Sequence, residues 1–193
     1  LREKYTNKQE EVTQKKEQMA YFNNKGFSDL EINRPHGLGR LYSFLMEYKL
    51  KTAIRLLGCS LKGVRLLNIC CGSGMEAEFL SSQGAKVMGL DISQEAIKEA
   101  KKRAEIYGFD LDLIVGDAEN IPFVSRCFDY GFSHDGLHHL PDPKRGILEL
   151  SRVANKGIFF IEPASALLTK LACFLGVAKE REPSGNRVYR FKK

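Results

Sequence analysis

An α/β fold with a doubly wound, mostly parallel sheet is what this sequence predicts, and three observations carry the prediction. From Val64 onward, short apolar runs alternate with segments of helical periodicity, the order that parallel strands joined by crossover helices produce. The first run, Val64-Arg-Leu-Leu-Asn-Ile69, breaks into the turn Cys70-Cys-Gly-Ser-Gly74. The second, Val87-Met-Gly-Leu-Asp91, closes on a single carboxylate.

Taken in order, residues 1–20 are polar and read as a helix with frayed ends. Tyr21-Phe-Asn-Asn-Lys25 and Arg34-Pro-His-Gly-Leu-Gly-Arg40 interrupt that character. Leu41–Leu57 is a helix, with Leu41, Phe44, Leu45, Tyr48 and Ala53 recurring every three to four residues, and Gly58 closes it. A strand from Val64 leads through the glycine turn to a helix beginning near Met75, then to the strand ending at Asp91. Gln94–Tyr107 sets Ala96, Ile97, Ala100 and Ala104 on one helical face. Leu111–Val115 and Cys127–Phe132 are the third and fourth strands, Pro143–Val153 a helix, and Gly157–Ile161 a fifth strand ending at Glu162-Pro163. Residues 1–57 are expected to form a helical cap and 58–193 the α/β domain, as one structural unit. A cap that only packs against the sheet is the alternative.

A strand, a glycine turn, a helix and a second strand tipped with an acid make the unit on which open α/β sheets hold adenosine cofactors. Glycines let backbone approach the ligand, and the acid accepts from ribose hydroxyls. The bare alternative is that Gly72 and Gly74 only shape the turn and Asp91 only caps the next helix. The ends of the third and fourth strands decide between cofactors. The third strand ends in Gly116-Asp-Ala-Glu-Asn-Ile-Pro-Phe123, the fourth in Ser133-His-Asp-Gly-Leu-His-His-Leu-Pro-Asp-Pro143. A nicotinamide dehydrogenase has no comparable use for Asp117-Ala118.

With Cys-Gly-Ser-Gly, Leu-Asp-Ile-Ser, Gly-Asp-Ala-Glu-Asn-Ile-Pro-Phe and Leu-His-His-Leu in this order, residues 20 to 165 closely resemble the class I S-adenosylmethionine-dependent methyltransferases. The likeness is to the small-molecule branch (methyltransferase type 11) that includes quinone-biosynthesis enzymes. The resemblance implies a Rossmann-like methyltransferase fold and S-adenosylmethionine as cofactor, with S-adenosylhomocysteine as product. It implies that Cys70–Gly74, with Gly72 and Gly74, passes under the methionine part, that Asp91 binds the ribose hydroxyls, and that Ile92 packs on the adenine. Asp117 would accept from the adenine amine, the Ala118 amide would donate to a ring nitrogen, and Ser133 would lie near the methionine chain. Two positions depart from the family pattern. Asn68 stands where the family has Asp or Glu, and Cys70 stands at its first glycine, where a thiol is expected to be tolerated only with a negative φ.

Residues after the fourth strand face the methyl group in this architecture, so His139 is the candidate base and His138 the second; loop shaping is the alternative for each. The resemblance implies transfer to an oxygen, carbon or nitrogen of a small-molecule metabolite. The chain has no Asn/Asp-Pro-Pro-Tyr run, which favours an oxygen or carbon acceptor. Nor has it a Gly-Leu-Arg-Asn-like run, so a quinone acceptor is not assigned.

Composition sets the remaining bounds. At 193 residues, 43% hydrophobic and 28% charged, the chain suits one globular domain with a substantial core. No apolar run reaches the roughly 18 residues of a membrane span. Five cysteines without C-x-x-C pairing, and four histidines without a metal motif, predict reduced thiols, a cytoplasmic protein and no metal. The formal charge of +6 comes from bases interleaved with Glu, as on solvated helices, which argues against nucleic acid. The basic cluster Arg181, Arg187, Arg190, Lys192 and Lys193 keeps an RNA-binding or modifying protein as the alternative, beside a non-catalytic scaffold. Thirty residues remain beyond Pro163, with a helix at Ala164–Val177 and a sixth strand from Val188. The family sheet has seven strands, so its C-terminal strands are expected to be truncated or missing.

Overall fold

The computed structural model describes residues 8–24, 32–33 and 39–163. Helices α1 (Lys8–Asn24) and α2 (Gly39–Leu57) precede β1 (Arg65–Ile69), α3 (Met75–Ser82), β2 (Lys86–Asp91) and α4 (Gln94–Tyr107). Next come β3 (Asp112–Val115), β4 (Phe128–His134), a 3-10 turn at Leu137–His139, α5 (Pro143–Val153) and β5 (Ala154–Ile161). The five strands are all parallel, in the order β3-β2-β1-β4-β5. The chain winds outward from β1 through β2 to β3, then returns to place β4 on the other side of β1. That reversal leaves a crevice above the carboxyl ends of β1 and β4, where open α/β sheets take ligands.

Strand alternation divides the core. Leu66 packs with Met46 and Leu50 of α2, Phe79 and Leu80 of α3, and Phe132, while its neighbour Leu67 packs with Leu90, Phe128, Leu150 and Val153. The buried strands thus read as near-continuous apolar runs because both faces are covered.

Local signals placed most element ends. Ser93 caps α4 by accepting from the Ala96 amide at 3.1 Å, and Gly108 ends it at φ 67°. Asp142 accepts from the Arg145 amide ahead of Pro143 in α5. Two expectations need correction. Helix α1 runs through Tyr21–Asn24 without a break, because Tyr21 and Phe22 are only mildly unfavourable in helices and Phe22 has a tertiary contact to His139. The apolar face chosen for α2 points outward: Leu41 is 67% and Phe44 62% exposed, while Ser43, Met46 and Leu50 turn inward. This helix is apolar on two sides, so periodicity alone could not select the buried one. The Ala164–Val177 helix, the Val188 strand and the basic cluster lie outside the described residues.

Leu66→Ala, at a fully buried site of the central strand, is expected to cost about 2–5 kcal/mol in urea unfolding. Leu41→Ala, on the outer face of α2, is expected to stay within about 0.5 kcal/mol.

Candidate active site

The crevice is organised by Asp91, the last residue of β2. The amide of Gly72 donates to its Oδ2 and the amide of Ser93 to its Oδ1, both at 2.9 Å. Asp91 is therefore not the cap of α4, a role filled by Ser93; it ties the turn after β1 to the end of β2. With roughly four acceptor sites on a carboxylate, Asp91 can accept hydrogen bonds beyond these two. Burial pushes the Asp91 pKa up and the amide bonds pull it back, with a net rise. From below, Arg103 Nε donates to Ser73 O at 3.0 Å, and its Nη1 lies 3.1 Å from Glu78 Oε2.

The turn has an unusual backbone. Gly72 and Gly74 sit at φ 51° and 77°, and a Cβ on Gly74 would approach Ala100 Cβ to 3.1 Å. Cys70 also has a positive φ, 51°, contrary to the negative value on which its tolerance was expected to rest. A non-glycine residue in this region stores about 1–2 kcal/mol of strain. Gly136 makes room for it: a Cβ there would come within 2.4 Å of Cys70 Cβ. Burial among carboxylates pushes the Cys70 thiol well above its ordinary pKa, so it is a neutral group.

Strand β3 brings the second acid. The Gly116 amide donates to Asp91 O at 2.8 Å, fixing the β3 end beside the β2 end. Asp117 Oδ1 accepts from the Glu119 amide at 2.8 Å, and its Oδ2 accepts from Lys15 Nζ at 2.6 Å. Lys15 also reaches the buried Glu119 Oε2 at 2.5 Å. Burial lowers the Lys15 pKa, but its bonds to the two carboxylates outweigh that and raise it. Helix α1 is tied down further by Gln18 Nε2 donating to His139 O, and by Ser93 Oγ donating to Asn23 Oδ1 at 2.7 Å.

The loop after β4 forms the opposite wall. His134 Nδ1 lies 2.7 Å from Glu76 Oε1 on α3, and its Nε2 lies 3.2 Å from Asp135 Oδ2. Burial would depress the His134 pKa, yet the Glu76 bond and the charges of Glu76 and Asp135 prevail and raise it. Burial, then Glu76 and Asp135, pushes the nearby Tyr42 phenol up to about 12. Glu162, just past β5, accepts from the amides of Gly136 and Leu137 at 2.9 and 2.7 Å through Oε1, and its Oε2 lies 2.6 Å from His138 Nδ1.

These walls enclose a cavity of about 330 Å³, within the range of small-ligand sites. Of the residues expected from sequence, Cys70, Gly72, Asp91, Ile92, Asp117, Ala118 and His139 line it. Gly74, Asn68, Ser133 and His138 do not. His138 is turned toward Glu162, and Asn68 and Ser133 are buried, with Asn68 Nδ2 and Ser133 Oγ lacking hydrogen-bond partners. Sequence reasoning missed Lys15, Tyr42, Glu76 and the organising role of Glu162. Lys15 and Glu76 sit in charged helical segments where nothing distinguishes them from solvated residues. No metal was expected; among the described residues Asp135, His138 and Glu162 bring donor atoms within 4.8 Å of one another. Both Glu162 oxygens already have partners there.

A family model described as "Methyltransferase domain" matches residues 67–161. The chain is 37% identical over 102 residues to the phthiotriol/phenolphthiotriol dimycocerosates methyltransferase of Mycobacterium tuberculosis, a match covering 52% of this chain and 37% of that protein. It is 34% identical over 95 residues to the demethylmenaquinone methyltransferase of Renibacterium salmoninarum, covering 49% and 38%. The chain thus spans well under half the length of these curated relatives. The crystal structure of the [4+2]-cyclase SpnF superposes with a TM-score of 0.63 at 20% identity, covering 92% of this chain and 65% of that one. That likeness shows the fold, which hosts more than one reaction.

Glu76→Gln is expected to lower the His134 pKa, read from its imidazole signals in an NMR titration. Because that pKa is raised above the ordinary 6.5, the pair adds stability in full below about pH 6.5 and loses it as pH climbs through the raised value. In Glu76→Gln that loss with rising pH is expected to shrink in urea unfolding.

Proposed function

We propose, from the premise that residues 67–161 belong to the methyltransferase domain family, that this protein transfers a methyl group from S-adenosylmethionine to an oxygen, carbon or nitrogen of a small molecule. One observation carries the reading: Asp91 ends β2, Asp117 follows the end of the adjacent parallel strand β3 by two residues, and both line one cavity with a glycine turn beside them. The residues present suit the cofactor. Asp91 would accept from the ribose hydroxyls with the acceptor capacity its carboxylate has left. Ile92 offers an apolar surface to adenine. Asp117 is an acceptor for its exocyclic amine, a position where Lys15 now donates, and the Ala118 amide would serve a ring nitrogen. Cys70–Gly74 would run beneath the methionine part.

When bound, the cofactor supplies an activated methyl group on a sulfonium that leaves as a thioether. The chain's own task is to align the nucleophile, exclude water and take up a proton where the acceptor carries one. His139 remains the candidate base because it lines the cavity. His138 is better suited to hold the loop through Glu162 than to touch an acceptor. Asn68 brings no charge to its position, but Glu76, in the first turn of α3 and lining the cavity, would offer a carboxylate to the donor's cationic end. The cavity is also bordered by Phe22, Met75 and Leu140, which suits an acceptor with an apolar part.

The same charge pattern weighs against the nucleic-acid alternative. Glu76, Asp91, Asp117 and Asp135 line the crevice, a sign that repels phosphates. Calorimetry with S-adenosylhomocysteine is expected to show binding that Asp91→Ala weakens by at least about tenfold, given roughly 1.5–3 kcal/mol for each hydrogen bond to a charged group. No binding by the folded chain, or unchanged affinity in the variant, would contradict the ribose role.

A further inference from the structure

We infer that the outer face of α2 docks this protein onto an anionic lipid surface, beside the mouth of its cavity. Helix α2 buries Met46 and Leu50 against the sheet, yet its other side is also apolar. Leu41, Phe44, Leu45, Tyr48 and Leu56 are all exposed there, Leu56 by 81%, and the Phe44 and Tyr48 rings stack at 6.4 Å. Scattered exposed apolar residues need no explanation, but five on one face of a single helix do.

Charge selects the partner. Arg40, Lys51 and Arg55 are exposed along the same side, and α2 holds four bases against one acid, Glu47, which pairs with Lys51 at 2.6 Å. Apolar and aromatic side chains flanked by Lys and Arg are the make-up of a helix that lies in the plane of a membrane interface. Two copies meeting through this face would bring like charges together, which disfavours self-association. The helix spans about 28 Å at 1.5 Å per residue, ample for such a contact. It does not cross: among the described residues no helix is long and apolar enough to span a membrane.

The face adjoins the site: Tyr42, which lines the cavity, is three residues before the exposed Leu45 and so beside it on the helix surface. A protein seated by α2 therefore holds the crevice edge against the lipid, where an apolar acceptor concentrates. That last consequence rests on the methyl-transfer reading; the docking itself does not.

The test is flotation of the full chain with vesicles of phosphatidylcholine and phosphatidylglycerol in equal parts, against phosphatidylcholine alone, without cofactor. The chain is expected to float with the anionic vesicles, less with the neutral ones, and less as salt rises. Lys51→Gln and Arg55→Gln should each weaken binding about fivefold. The double variant Phe44→Glu, Tyr48→Glu should abolish it while leaving the urea midpoint unchanged, since both residues are exposed. No flotation by the intact chain, or flotation indifferent to these substitutions, would overturn the proposal. So would a dimer in sedimentation that Phe44→Glu dissolves while no vesicles bind. Because no cofactor enters the assay, failure here leaves S-adenosylhomocysteine binding to be judged separately.

Discussion

A single buried carboxylate holds this site in shape. Asp91 accepts from Gly72 on one side and Ser93 on the other, so the turn after β1 and the start of α4 share one anchor. The bond from Gly72 could not form unless β1 and β2 were adjacent and parallel, with Asn68 opposite Gly89 and Ile69 opposite Leu90. The sheet order therefore comes before the chemistry. Once it is set, the glycine turn has one place to go, and the carboxylate lines the crevice with acceptor capacity to spare. Strain at Cys70 is tolerated because Gly136 on the opposite wall yields the space its side chain needs.

Charge is balanced around that anchor. Four carboxylates line one cavity, an arrangement that favours a cationic ligand and makes the basic groups of the walls informative. Lys15 neutralises the Asp117–Glu119 side, and His134, its pKa raised by the Glu76 bond and the nearby charges, stands between Glu76 and Asp135. Helix α1 is thus coupled electrostatically to the position where an adenine amine would be received. A ligand entering there must either share Asp117 with Lys15 or replace it. The loop after β4 is held from behind instead, by Glu162 beneath two backbone amides and the His138 ring. The structure thus separates the two neighbouring histidines: His139 lines the cavity, and His138 is turned toward a buried acid.

Strands and strand-end acids were legible in the sequence because each is a local event. An apolar run ending on Asp91, or running into Gly116-Asp117, states both the element and the group at its tip. The glycine turn was legible for the same reason. Contacts between distant segments were not. Lys15 meets Asp117 across 102 positions and His134 meets Glu76 across 58, and neither pair leaves a trace in periodicity or spacing. The inner face of α2 was misread because Leu, Phe and Tyr on one side compete with Met46, Leu50 and Ile54 on the other. Only the packing against Leu66 and Phe79 decides between them. The backbone of Cys70 was equally opaque, since its φ is imposed by the anchoring of the turn and not by the residue.

Two acids at the ends of neighbouring strands, gripping one nucleoside, are the centre of the proposed chemistry. A crystal structure of the chain grown with S-adenosylhomocysteine tests that grip most directly. Ribose hydroxyls are expected on the two oxygens of Asp91, the adenine amine at Asp117, and the Lys15 ammonium moved from its present place. A nucleoside bound outside this cavity, or lying in it with neither acid in contact, would contradict the proposed role of both carboxylates.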